Sequence, residues 1–249
     1  MKILHYLSVY VVLMTLAAGN VMAEEIRVVV ASNFTDALRE IAGRFEMKTQ
    51  HKVSVISGST GKHYAQITNG APFDVFFAAD VKRPELLEQQ GLALPGSRFT
   101  YAVGKIVLWS PDQDYIDTSA NVLKQGKFNH LSIANPKLAP YGRAAQQVLK
   151  KLGLWNKLQG RMVRGENIGQ AFQFVKSGNA RLGFVAFSQI KNPDNAIEGS
   201  FWQVPESLYD PIDQQAVLIK DNEAARAFLD FVRQDEALQI IRNFGYGVP

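Results

Sequence analysis

The sequence of 249 residues contains no cysteine. That absence removes disulfides, thiolate metal sites and cysteine nucleophiles together, and with them a lipidated N-terminal cysteine. Long apolar runs are missing as well. Past the first two dozen residues nothing reaches the roughly 20 consecutive apolar residues that a spanning helix needs. No Lys/Arg run and no basic-aromatic interleaving appears either, although the pI is about 9.2. Removing Lys2 from the 27 basic residues leaves 26 against 23 acidic ones, a net charge of about +3 with the signs alternating. Nucleic acid is therefore not expected as a partner. No internal repeat and no low-complexity tract interrupts the chain.

The N-terminus reads as an export leader over 1–23: basic Lys2, an apolar core of roughly a dozen residues, then small residues ending Val21-Met22-Ala23. Cleavage after Ala23 leaves a mature chain from Glu24. An exported protein with no cysteine anchor suits a periplasm. The remaining length allows one large domain or two of ordinary size.

One stretch, 53–80, organises the rest. A β-prone run of Val53, Val55 and Ile56 passes through Ser57-Gly58-Ser59-Thr60-Gly61 into a helix-compatible segment, then turns at Asn69-Gly70-Ala71-Pro72 into the apolar strand Val75–Ala78. This is a βαβ unit. Its first turn aims free backbone N–H groups and side-chain hydroxyls at one spot, which can bind an anion. A Walker loop is excluded, because Gly61-Lys62 is followed by His63 and Ile56 stands where the first glycine belongs. That Ser59 or Thr60 merely caps a helix is the other reading of the turn.

The same strand–turn–helix pattern recurs. Ile26 to Val30, apolar apart from Arg27, leads through Ala31-Ser32-Asn33-Phe34-Thr35 to a helix with Leu38, Ile41, Ala42 and Phe45 on one face, capped by Asn33 or Thr35. A strand at 130–134 precedes a turn ending Ala139-Pro140-Tyr141-Gly142 and a further helix, with Pro140 suited to its first turn. Met162-Val163-Arg164 runs through Gly165-Glu166-Asn167-Ile168 into another helix. In parallel sheets the carboxyl ends of strands share one edge, so these turns are expected to face a common crevice. The segment 101–109 reads as one long strand; Gly104 in its middle marks either a crossing between domains or a buried bulge. Residues 222–244 read as a helical tail.

Chemistry has little foothold. His51 is expected to be solvated, and neither His63 nor His130 has a partner at metal-ligand spacing. Gly58-Ser59-Thr60-Gly61 is one residue short of a nucleophile elbow. Asp74 and Asp80, six apart on a strand, lie about 20 Å from each other, too far to share a proton. No enzyme activity is expected. Lys62, Arg143 and Arg164 stand beside the anion turns, and the solvated reading of each is preferred over a ligand contact. Charge is not required there: a hydrogen bond to an ion contributes about 1.5–3 kcal/mol and micromolar binding needs about 8 kcal/mol, so five or six neutral donors suffice.

Taken together, the motifs Ala31-Ser32-Asn33-Phe34-Thr35, Gly58-Ser59-Thr60-Gly61-Lys62, Asn69 to Phe76, Ala78-Ala79-Asp80, Asn135-Pro136 with Ala139 to Gly142, Gly165-Glu166-Asn167, Pro211-Ile212 and Phe244-Gly245-Tyr246-Gly247 resemble the periplasmic molybdate-binding proteins of ABC transporters. The resemblance spans the mature chain in order. It implies an α/β, two-lobed type II periplasmic binding protein, each lobe a sheet flanked by helices, with the ligand in the interlobe cleft. Residues 24–103 with 208–249 are then expected to form lobe I, and 104–207 lobe II. The implied oxyanion ligands are Ser32, Asn33, Ser59, Thr60, Tyr141 and the backbone of Ile168, with Ser59 interchangeable with Thr60 after a one-residue shift.

The same resemblance implies molybdate or tungstate as ligand with no cofactor, no direct metal ligands, and membrane permease subunits as partners of a monomer. One departure stands out. Ala186 occupies the position where many of these proteins carry a ligand-binding tyrosine, and Tyr141 is the candidate to supply a phenol instead. Another tetrahedral oxyanion such as sulfate is the alternative ligand. The effector domain of a transcription regulator and an exported hydrolase are disfavoured by the leader, by the absence of a helix-turn-helix block and by the missing nucleophile–base set.

Overall fold

The computed structural model of the chain describes residues 23–191, 193 and 196–248. Apart from the exposed Ala23, the leader and its apolar core lie outside the described residues.

The described residues form ten strands and ten α-helices: β1 Glu25–Ala31, α1 Thr35–Thr49, β2 Lys52–Gly58, α2 Thr60–Thr68, β3 Val75–Ala78, α3 Lys82–Gln89, β4 Phe99–Gly104, β5 Ile106–Ser110, α4 Asn121–Gln125, β6 Leu131–Ala134, α5 Pro140–Lys151, α6 Trp155–Leu158, β7 Met162–Gly165, α7 Ile168–Lys176, β8 Leu182–Ala186, α8 Phe187–Ile190, β9 Ser200–Gln203, β10 Ile212–Leu218, α9 Glu223–Val232 and α10 Asp235–Asn243. They form two five-stranded sheets, ordered β2-β1-β3-β10-β4 and β7-β6-β8-β5-β9. The expected α/β, two-lobed architecture is what is observed. Each sheet has a parallel trio on one side, with β1 between β2 and β3 and β6 between β7 and β8. The other strand pairings are antiparallel.

Central strands with helices on both faces carry runs of buried apolar residues, as burial on two sides demands. Val28, Val29 and Val30 of β1 are fully buried, as are all four residues of β3. In α1 the 3.6-residue period places Leu38, Ile41, Ala42 and Phe45 on the buried face, where Phe45 meets Phe228 edge-on at 5.1 Å. Neither Asn33 nor Thr35 caps α1 through its side chain. Ser32–Phe34 instead forms a 3-10 turn that runs straight into the helix, and the Thr35 hydroxyl bonds the Ser32 carbonyl (3.2 Å) and Ser57 Oγ (2.7 Å).

Three further expectations change. The 101–109 stretch is two strands in two different sheets, joined by Lys105 alone, so Gly104 marks a crossing. The tail is two helices broken at Arg233-Gln234, because Gln234 adopts an extended conformation before α10. His51 is buried, not solvated: its ring stacks on Phe45 and Nδ1 accepts the Glu24 N–H at 3.2 Å. The chain returns to the first sheet between β9 and β10, and Gly247 then bridges Val103 through two backbone hydrogen bonds of 2.7 and 3.0 Å.

Candidate anion site in the cleft

The parallel trios point their carboxyl ends at each other. Ala31, Gly58 and Ala78 end the strands of one sheet, and Ala134, Gly165 and Ala186 those of the other. Helical starts therefore converge from both sides on one small cavity, lined by Ala31, Ser32, Asn33, Gly58, Ser59, Thr60, Ala79, Ala139, Pro140, Tyr141, Asn167 and Ile168. All six residues expected from the sequence to hold the ligand line it. Its volume is only about 10 Å³, against the roughly 300–1,000 Å³ of an organic-ligand pocket. None of the twelve lining residues carries a charged side chain.

Four N-termini supply the donors. Ser59 is the N-cap of α2: its Oγ accepts the Lys62 N–H at 3.3 Å and keeps its own proton to give. Thr60 Oγ1 accepts the Ala79 N–H at 3.1 Å, which likewise leaves the hydroxyl proton for the cavity. The α5 start uses Pro140, which has no N–H, so Tyr141 provides that helix's first N–H. Asn167 caps α7 through an Oδ1 bond to the Gln170 N–H of 2.9 Å, and Ile168 is the first residue inside, with no intrahelical acceptor for its N–H. The fourth start is the turn holding Ser32 and Asn33. Partial positive charge at each of these ends favours an anion at the centre.

Several bonds cross the cleft. Ser32 Oγ accepts the Gly169 N–H (3.0 Å), the Gly61 N–H reaches the Leu138 carbonyl (2.8 Å), and Ser188 Oγ donates to the Asn33 carbonyl (3.1 Å). The two lobes are thus shut upon one another. Behind the cavity the Asn33 amide is committed elsewhere: Nδ2 donates to Gln214 Oε1 at 2.7 Å and to the Tyr246 hydroxyl at 3.0 Å, while that hydroxyl donates to the Asn33 carbonyl at 2.7 Å. Burial drives the Tyr246 phenol well above its ordinary pKa, so it stays a donor. Sequence reasoning gave no role to Gln214, Tyr246 or Gly169. Tyr246 lies in the quoted Phe244-to-Gly247 motif, which was the available signal.

None of the three neighbouring cations lines the cavity, and they are not simply solvated. Lys62 pairs with Glu166 across the cleft at 3.3 Å, and Arg143 pairs at 3.2 Å with Asp80, which also holds Arg83 at 2.5 Å. Arg164 stacks over the Trp155 ring at 5.9 Å. Ala186, at the end of β8, does not line the cavity.

A small charge-free cavity of helix N-termini between two α/β lobes defines a solute receptor of the type II binding-protein class. The chain belongs to the family of bacterial extracellular solute-binding proteins, whose model matches residues 26–247. It is 52% identical over 236 residues to the molybdate-binding protein ModA of Azotobacter vinelandii, covering 94% of each chain, and 48% identical to the molybdate-binding protein ModA of Rhodobacter capsulatus, covering 92% of this chain and 89% of that one. The solved structure of the Azotobacter vinelandii periplasmic molybdate-binding protein superposes with a TM-score of 0.87 at 47% identity, over 90% of this chain and 99% of that one.

Proposed function

We propose that this protein is the substrate-binding component of an ABC transporter, capturing molybdate, or tungstate of nearly the same size, between its lobes and delivering it to permease subunits at the inner membrane. The observation that carries this reading is the charge-free cavity ringed by helix N-termini, small enough for an inorganic oxyanion and nothing much larger. The naming of relatives at 52% and 48% identity supports molybdate as the cargo.

In this reading Ser32, Asn33, Ser59, Thr60, Tyr141 and Ile168 hold the oxyanion through hydroxyls and backbone N–H groups. Residues 24–103 with 208–249 act as one lobe and 104–207 as the other, hinged at Lys105 and between Gln203 and Ile212. Anion contacts from both sides stabilise the shut form, which the permease recognises. The mature protein starts at Glu24, works in the periplasm as a monomer, carries no cofactor and does no chemistry on its ligand.

Calorimetric titration of the mature protein with molybdate, tungstate and sulfate tests this. One-to-one binding of the first two with sulfate silent is expected. Equal heat from sulfate, or none from any, overturns the ligand assignment.

A further inference from the structure

Among the described residues, three buried side-chain polar atoms have no hydrogen-bond partner: Asn33 Oδ1, Tyr141 Oη and Gln214 Nε2. At least two of them meet at one place. A Cβ added to Gly104 would collide with the Tyr141 hydroxyl, and would stand 2.9 Å from Gln214 Nε2 and 3.0 Å from Tyr141 Cζ. Gly104 is the last residue of β4 in the first sheet, immediately before the Lys105 crossing. It does not line the anion cavity. Tyr141, by contrast, belongs to α5 and is 1% exposed in the hydrophobic core of the second lobe. Its phenol therefore spans the hinge, from the lobe that carries it to a bare backbone site on the other.

From this geometry we infer that Tyr141 has two separate jobs: its backbone N–H is the contact to the anion, and its side chain is a positioning group that seats on Gly104 only when the lobes shut. The inference rests on the anion-receptor reading and deepens it. Tyr141 N–H is the first donor of α5 and lies at the cavity, whereas the hydroxyl is turned to Gly104 and Gln214 at the hinge. Burial holds the phenol well above its ordinary pKa, so the seat receives a neutral hydroxyl. Gly104 must be glycine because the oxygen occupies the space of its side chain. When the lobes swing apart, α5 moves with the second sheet and the seat empties. A methyl group at Gly104 then obstructs the shut form alone.

The test is a double-variant cycle on the full mature protein, titrated calorimetrically with sodium molybdate, together with thermal unfolding of the anion-free protein. Gly104→Ala is expected to weaken molybdate binding tenfold or more while moving the anion-free unfolding midpoint by less than about 2 °C, a shift that corresponds to at most about 1 kcal/mol for a chain of this size. In a Tyr141→Phe background, where the colliding oxygen is gone, the same glycine change is expected to cost less than threefold. Equal losses in both backgrounds, no loss from Gly104→Ala, or an anion-free midpoint that drops in step with affinity would each overturn the inference. Failure of the unmodified protein to bind molybdate would instead overturn the ligand reading, so the two failures are distinguishable.

Discussion

Ser32 Oγ accepts the Gly169 N–H at 3.0 Å, joining the first turn after β1 to the second residue of a helix in the opposite lobe. The same hydroxyl lines the anion cavity and retains a proton to donate. One small side chain thus serves both the ligand and the closure around it. Its neighbour Asn33 divides the work differently, with its amide buried against Gln214 and Tyr246.

That difference separates two variants. Ser32→Ala removes a donor to a charged ligand and a cross-cleft acceptor, and a single such bond contributes about 1.5–3 kcal/mol. Affinity for molybdate is expected to fall roughly ten- to a hundredfold by calorimetry. Chemical unfolding of the anion-free protein should change little, since Ser32 is only half-buried and joins the lobes without supporting either core.

Asn33→Leu attacks stability as well. Two buried hydrogen bonds to Nδ2 are lost, and Gln214 Oε1 keeps only the Tyr101 hydroxyl at 3.2 Å. Leaving buried polar groups unmatched costs about 1–3 kcal/mol each. Urea unfolding of the anion-free protein should therefore lose about 2–4 kcal/mol, and an unchanged midpoint would show that the amide is not holding the cleft floor.

His63 lies directly beneath the anion turn, packed so closely that a Cβ on Gly58 would fall 2.7 Å from its ring. Its ring nitrogens meet the Val30 carbonyl at 3.2 Å and Gln66 at 3.1 Å. Burial lowers its pKa below the ordinary 6.5, so the folded protein keeps it neutral when the unfolded chain would take a proton. Stability contributed by this residue is then complete above about pH 6.5 and declines as pH falls toward the folded value. In His63→Gln that part of the decline should vanish. Urea midpoints at pH 7.5 and 5.5, compared between the two proteins, measure the difference.

How far the sequence alone reached is clearest at particular residues. Gly58-Ser59-Thr60-Gly61 was legible because small residues, hydroxyls and flanking periodicities are local, and Pro140 and Asn167 announced their helices in the same way. The bonds that commit the Asn33 amide to Gln214 and Tyr246 were not, since they join positions 181 and 213 residues apart and leave no periodic trace. His51 misled because charged neighbours in sequence hid an aromatic neighbour in space. Gly104 carried two readings until the strands on either side proved to lie in different sheets. The helix break at Gln234 has no glycine or proline to mark it.

Cross-cleft charge, finally, should tune affinity without touching the ligand. Arg143 comes from the second lobe, and Asp80, held also by Arg83, from the first. Arg143 is 44% exposed in its side chain, so its pair with Asp80 falls in the class of partly solvated bridges that contribute about 0.2–1 kcal/mol and weaken with salt. If the pair forms only when the lobes shut, Arg143→Ala shifts the open–shut balance by that amount and lowers molybdate affinity by at most about fivefold in low salt. Raising the salt to about 1 M, where charges beyond roughly 3 Å are screened, should shrink the gap between variant and unmodified protein. A gap that stays constant with salt would mean Arg143 acts through packing of its stem instead; one that exceeds a hundredfold would mean it reaches the anion itself.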